Sequence, residues 1–250
     1  MSIFRFKKFE VRNEMSAMKV NTDGVLLGIC APLKPSDSAI LDIGTGTGTI
    51  ALILAQRLSE IRPQNADPAH ITGIDIDAPA AGEAESNFTS SPWHEMLEAR
   101  HIGLSELNAE ASDTSFDLIV SNPPYYDSSL TNPDGRKTAA RHTGDSETPD
   151  GLSFREVLEF AERHLKEGGR VAVVLPAEQE PALDRYGRML GLHISEILRI
   201  RTVERKQPSR MVVALTKEKA PAKERMLTIM ESGHYTEQYL ALTHDFYLFA

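Results

Sequence analysis

The sequence predicts an α/β fold built on a mostly parallel, doubly wound sheet with antiparallel strands toward its C-terminal end. Three observations predict it. Short apolar runs alternate with helical patterns at the spacing of strand–helix–strand units. The first of these runs leads straight into a glycine-rich turn that opens a helix. After Gly191 the alternation gives way to two apolar runs flanking a Lys-Gln-Pro-Ser turn.

Taken in order, Ala39–Ile43 reads as a buried strand, and residues 47–58 as the helix that follows it. His70–Asp75 is a second strand. Residues 79–87 are a second helix, with proline in its first turn, where its missing N–H costs nothing. Residues 98–102 make a weak third strand and Phe116–Ser121 a strong fourth. Phe154, Val157, Leu158, Ala161 and Leu165 recur at helical spacing, and Gly168-Gly169 is expected to end that helix. Residues 170–175 form a fifth strand, and residues 192–201 pair with Arg210–Thr216. The polar stretch 127–151 is rich in Gly and Pro, and a loop of that length is usually functional or mobile. The expected organisation is one domain over residues 1–250: an N-terminal strand and helix segment (1–36), a core (37–217) and a C-terminal extension (218–250).

With 250 residues, 41% of them hydrophobic and 25% charged, the chain has the balance of a globular protein, which excludes a disordered or fibrous one. Cys30 is the only cysteine, so no intrachain disulfide can form, and no metal site is expected. Apolar runs such as 171–175 are far too short to span a bilayer. The N-terminus lacks the apolar stretch of a secretory signal, so a cytoplasmic location is expected.

The formal charge of −9 at first argues against a nucleic-acid partner. Its distribution argues otherwise. Residues 1–19 hold five basic side chains against two acidic ones, and residues 199–225 hold nine against three. Fields act within about 8–10 Å at physiological salt, so two basic flanks beside an acidic body remain compatible with a polyanion.

The motifs with chemical content lie at strand ends. Asp42 precedes Gly44-Thr45-Gly46-Thr47-Gly48, a G-x-G-x-G turn rather than the G-x-G-x-x-G of dinucleotide folds. Glycines allow close backbone approach, and the helix start offers free N–H groups. A carboxylate beside them suits a cationic ligand such as S-adenosylmethionine, which carries an ammonium and a sulfonium. Asp75 ends the second strand, where an acid can accept both hydroxyls of a ribose; it is favoured over Asp77, which reads as a helix entry.

Asn122-Pro123-Pro124-Tyr125 follows the fourth strand and is the most specific signal in the chain. An exocyclic amine is a poor nucleophile because its lone pair is delocalised. The Asn122 side-chain carbonyl and the Pro123 backbone carbonyl can hold its two N–H groups and aim the lone pair at a methyl donor. The prolines preorganise these acceptors, and Tyr125 offers a face on which a base stacks.

On these residues the chain resembles class I S-adenosylmethionine-dependent methyltransferases of the Asn-Pro-Pro-Tyr type, which have a Rossmann-like sheet. More closely it resembles the bacterial tRNA(Val) adenine-37 N6-methyltransferases. The likeness includes Phe4-Arg5-Phe6-Lys7-Lys8-Phe9, residues 17–28 and 87–93, Tyr235-Thr236-Glu237-Gln238-Tyr239, and residues 242–248. The resemblance implies methylation of N6 of adenine-37 in the anticodon loop of tRNA(Val), with S-adenosylmethionine as cofactor. It puts Lys19, Thr22, Asp23 and Gly24 beside the cofactor's methionine end, together with Asp42, Gly44 and Gly46. Asp75 would hold the ribose. Asn122 would serve both the cofactor side and, with Pro123 and Tyr125, the target adenine. Leu104 stands where such enzymes often carry an acid for the cofactor's adenine amino group, and Ser105 or Glu106 could substitute.

The remaining candidates are weaker. Arg5, Lys7, Arg205, Lys206 and Arg210 are candidates for RNA phosphates. His142 reads as a surface residue of the long loop, and the chemistry needs no general base. Phe4, Phe6 and Phe9 fit either a base-stacking strip or a packed N-terminal strand. Tyr235, Tyr239, Phe246 and Tyr247 read as a packed cluster, and Cys30 as an inert thiol. The alternatives are an amino-methyltransferase acting on a protein glutamine or a DNA adenine, and a non-catalytic RNA-binding module. A nicotinamide dehydrogenase is disfavoured by the glycine spacing.

Overall fold

The computed structural model describes residues 2–110, 115–124 and 152–250. The chain opens with a hairpin of β1 (Ile3–Arg5) and β2 (Glu10–Arg12), a strap of irregular backbone, and α1 (Thr22–Cys30). The alternating core then runs β3 (Ala39–Ile43), α2 (Thr49–Ile61), β4 (His70–Asp75), α3 (Ala78–Thr89), β5 (Leu97–His101), α4 (Leu104–Glu110), β6 (Phe116–Ser121), α5 (Phe154–His164) and β7 (Leu165–Pro176). It continues through α6 (Glu180–Met189), β8 (His193–Val203) and β9 (Arg210–Thr216), and closes with β10 (Lys223–Glu231), β11 (His234–Tyr235) and α7 (Glu237–Thr243).

Nine of these strands form one sheet in the order β11-β10-β8-β9-β7-β6-β3-β4-β5. Strands β7, β6, β3, β4 and β5 are mutually parallel. β9 runs antiparallel to both β7 and β8, as expected. Alternate strand residues feed two apolar layers, which is why the strands read as continuous apolar runs. Ile40, Ile71, Val120 and Val174 pack with α1, α2 and α3. Leu41, Ile43, Ile119 and Val173 pack with α5 and α6. No helix among the described residues is long and apolar enough to cross a membrane.

Two features depart from the sequence reading. Gly168-Gly169 does not end α5: the helix stops at His164, and both glycines lie inside β7. The pairing of β6 with β7 jumps from Phe116↔Leu165 to Leu118↔Arg170, so the glycines form a bulge. Gly168 takes the left-handed conformation (φ +68°) that the bulge requires. Pairing with Phe116 thus takes Leu165 out of the helix. The second departure is β10, in the C-terminal extension, which joins the same sheet parallel to β8.

The aromatic residues of the two termini pack on each other. Phe6 and Phe9 are buried with ring centroids 4.5 Å apart, and Phe6 stacks on Tyr247 at 5.9 Å. This favours packing over a base-stacking strip. Tyr235–Tyr239 and Tyr247–Phe249 pairs continue the cluster at 5.0 and 4.8 Å. Cys30 closes α1 half-buried, and burial pushes its thiol up to about 11, which leaves it unreactive.

Candidate active site

The C-terminal ends of β3, β4 and β6 meet at one edge of the sheet, where doubly wound folds bind ligands. The turn after β3 carries Gly44, Gly46 and Gly48, all with positive φ. Gly48 has no alternative there: a Cβ would lie 2.4 Å from the Phe88 ring. Gly44 N and Thr45 N both donate to the Ile74 carbonyl at 2.9 Å, which fixes the turn to β4. Asp75 completes the junction. Its Oδ2 accepts from Gly46 N and its Oδ1 from Asp77 N, each at 2.9 Å. Each carboxylate oxygen keeps a second lone pair, so these bonds leave capacity for hydroxyl donors. Asp77 caps α3 through Ala80 N, the helix-entry role expected of it.

Asp42 lies beneath the turn and is wholly buried. Its Oδ2 accepts from Thr45 Oγ1 at 2.7 Å, while Oδ1 has no hydrogen-bond partner. Burial pushes its carboxyl up to about 7, and the nearby Asp75 charge adds to the shift. A buried carboxylate with an orphaned oxygen favours a cation nearby.

Asn122 stands at the end of β6, only 9% exposed. Ser121 Oγ donates to the Ile43 carbonyl at 2.8 Å and ties this corner to the glycine turn. Asn122 Nδ2 donates to Met18 Sδ at 3.4 Å, and a Cβ on Gly24 would stand 3.8 Å from that nitrogen. A cavity opens between these groups. It brings together the expected Lys19, Gly24, Gly44, Gly46 and Asn122, and it adds Met18, Val20, Asn21, Thr45, Thr47, Thr49 and Ile50.

The other expected residues are placed differently. Thr22 opens α1, Asp23 pairs with Arg210 at 2.9 Å, and neither lines the cavity. Lys19 Nζ donates to the Glu14 carbonyl at 2.7 Å. Pro123 is buried beside Asn122, whereas Tyr125 and His142 lie outside the described residues. Glu106 accepts from Gly103 N at 3.1 Å and so caps the start of α4.

Of the basic candidates, Arg205 and Lys206 are exposed in the β8–β9 turn and make no side-chain ion pair or hydrogen bond among the described residues. Arg210 opens β9, opposite Pro176 at the end of β7. Because β9 is antiparallel to β7 and β8, this turn lies at the same sheet edge as Asn122. Lys7 Nζ instead donates to the His244 and Ala250 carbonyls at 2.5 and 2.8 Å, and Arg5 pairs with Glu10 at 2.9 Å.

Sequence reasoning missed Glu83 and Asn87 of α3. Their signal was two polar residues on the helix face that carries Ala80, Ala84 and Phe88.

Comparison with known proteins bears on this geometry. Residues 16–152 match the Methyltransferase small domain family. The chain is 39% identical to the tRNA1(Val) (adenine(37)-N6)-methyltransferase of Phocaeicola vulgatus over 98% of its length and 97% of that protein. It is 36% identical to the protein of the same name from Flavobacterium psychrophilum, over 98% and 99%. A solved structure described as a predicted O-methyltransferase of Agrobacterium tumefaciens superposes with a TM-score of 0.61 at 17% identity, covering 89% of this chain and 95% of that one, a likeness of fold alone. Over nearly its whole length, therefore, the chain belongs to the tRNA1(Val) (adenine(37)-N6)-methyltransferase family, within the Methyltransferase small domain family.

Proposed function

We propose that this protein transfers a methyl group from S-adenosylmethionine to N6 of adenine-37 in the anticodon loop of tRNA(Val), in the cytoplasm. The observation that carries the reading is Asn122 at the wall of the glycine-turn cavity, in a chain that matches its relatives end to end. The residues fit the cofactor. Asp42 offers negative charge below the turn, Lys19, Gly24, Gly44 and Gly46 border the space, and Asp75 stands where a ribose diol would bind. Asp23 and Thr22 flank that wall at the start of α1. When bound, the cofactor supplies an electrophilic methyl group on a sulfonium.

The protein's own contribution is to the acceptor. Asn122 Oδ1 and the Pro123 carbonyl accept the two N–H groups of the adenine amine. That draws the nitrogen toward tetrahedral geometry and frees its lone pair. Both acceptors are held before the base arrives, so no reorganisation is needed at the moment of transfer. Tyr125 supplies the stacking face for the extruded base. Extrusion costs a few kcal/mol, and less from a single-stranded loop. The proton leaves after the nitrogen becomes cationic, so no histidine is assigned. Arg205 and Lys206, exposed at the same sheet edge, are the groups that meet RNA phosphates. Arg5, Lys7 and Arg210 are engaged within the protein and are left out of that role.

The test offers the protein labelled cofactor with total tRNA, duplex DNA or a release factor. Label in N6-methyladenosine of tRNA supports the reading. Label confined to a protein glutamine or to DNA would replace the substrate, and no transfer at all would leave a binding module.

A further inference from the structure

The strap between β2 and α1 forms one wall of the cavity through Met18, Lys19 and Val20. It has little secondary structure of its own, so something else must hold it. Three consecutive backbone N–H groups of the strap point at one carboxylate. Glu83 Oε1 accepts from Glu14 N at 2.6 Å and Met15 N at 3.0 Å, and Oε2 accepts from Ser16 N at 3.0 Å. Glu83 is only 6% exposed. A buried carboxylate is costly unless its oxygens are satisfied, and here the donors all come from the strap.

One helical turn further along α3, Asn87 grips the base of the strap. Its Oδ1 accepts from Arg12 N at 2.8 Å, and its Nδ2 donates to the Arg12 carbonyl at 3.1 Å. The same Nδ2 donates to the Thr47 carbonyl, in the glycine turn, at 2.9 Å. Within the strap, Asn13 Oδ1 accepts from Val20 N at 3.1 Å and Ser16 Oγ donates to the Met18 carbonyl at 3.0 Å, so the pinned end fixes the free one. The pinned strap passes so close to the turn that a Cβ on Gly46 would stand 3.1 Å from Ser16 Oγ. At its far end Met18 Sδ accepts from Asn122 Nδ2.

We infer that Glu83, seconded by Asn87, is a positioning residue for cofactor binding: the pair fastens the strap to α3 and to the glycine turn, and so holds the Met18–Val20 wall against Asn122. Glu83 touches neither cofactor nor substrate. It acts by fixing a segment that has few anchors of its own. The inference deepens the reading of the cavity as a cofactor site and rests on it.

Titration calorimetry with S-adenosylhomocysteine tests it, alongside hydrogen exchange of the 14–16 amides. Glu83→Ala removes all three acceptor contacts. Its Kd is expected to rise at least about tenfold, with loss of protection at residues 14–16 and unchanged tRNA affinity. Glu83→Gln retains the carbonyl for Glu14 N and Met15 N but turns an amide toward Ser16 N. It should recover most of the affinity while the Ser16 amide alone loses protection; if the alanine variant does not fold, unchanged protection at Ser16 in Glu83→Gln overturns the clamp. Leu107→Ala, in the opposite apolar layer, controls for a general loss of stability. The inference is overturned if a folded Glu83→Ala binds the ligand as the parent does. It is overturned equally if Leu107→Ala, at a matched loss of Tm, weakens binding as much. Failure of the parent itself to bind S-adenosylhomocysteine would reject the cofactor reading, and with it the clamp's purpose, while the exchange data would still report whether the clamp exists.

Discussion

Residues 1–19 and 199–225 both carry an excess of positive charge, yet the fold uses the two segments in opposite ways. In the first, four of the five cations are engaged within the protein, and Arg12 is exposed. Lys7 holds the carbonyls of His244 and Ala250, Lys8 pairs with Glu60, Arg5 with Glu10, and Lys19 closes its own strap. The segment thereby builds the Met18–Val20 wall of the cavity. In the second, Arg199 is paired with Glu180 and Glu224, but Arg205 and Lys206 stand exposed at the turn beside the site. Formal charge along a sequence therefore says where cations are, and only the fold says which of them are available to a polyanion.

The largest expected effect falls where the two sides meet. Asn122→Ala should lower single-turnover methyl transfer by about 10²–10³. Calorimetry and filter binding should find cofactor and tRNA affinities close to the parent's, since each side binds through its own residues. A variant that lost either affinity to the same degree as turnover would break the division.

Arg205→Ala/Lys206→Ala separates the two segments. tRNA affinity should fall and its dependence on log[salt] should flatten by about 1.4–1.8, near 0.7–0.9 per lost phosphate contact. S-adenosylhomocysteine affinity should not move. Lys7→Ala should do the converse: a Tm lower by about 2–4 °C, with the salt slope unchanged. If Lys7→Ala flattens the slope and spares Tm, the two segments have been assigned the wrong way round.

The smallest effect is a proton count. Asp42 is raised by burial from the ordinary 3.8 to about 7, so the folded state holds its proton more tightly than the unfolded state does. Stability of the ligand-free protein should fall as pH climbs from about 4 to about 7 and then level off. A cationic ligand favours the ionised carboxylate, so its binding near pH 6.5 should release a fraction of a proton. Calorimetry in buffers of different ionisation heat measures this. Asp42→Asn should abolish the release, and tRNA binding should show none of it.

What was legible in the sequence was local. Asp42 to Gly48, Asp75 and Asn122-Pro123 each sit within a few residues of a strand end, and the sheet brings them to one edge because its strands are parallel. What was hidden depends on distance along the chain. Glu83 meets the strap across 67–69 residues, and Lys7 meets the C-terminus across 237 and 243. No local pattern encodes such partners. The Gly168-Gly169 pair misled because the same left-handed geometry serves a helix end and a strand bulge. β10 was missed because its first four residues are exposed and Leu227 alone is fully buried, so it lacks the apolar run that marked the central strands.

The most direct test of the central claim, that the Asn122 corner of this cavity methylates an adenine amine in tRNA, is nucleoside-resolved mass spectrometry of tRNA1(Val) after reaction with S-adenosylmethionine. One new N6-methyladenosine, at position 37, is expected with the parent protein, and none on the same timescale with an Asn122→Ala variant that still binds S-adenosylhomocysteine. Methylation at another atom or position, or equal yield from the two proteins, would contradict it.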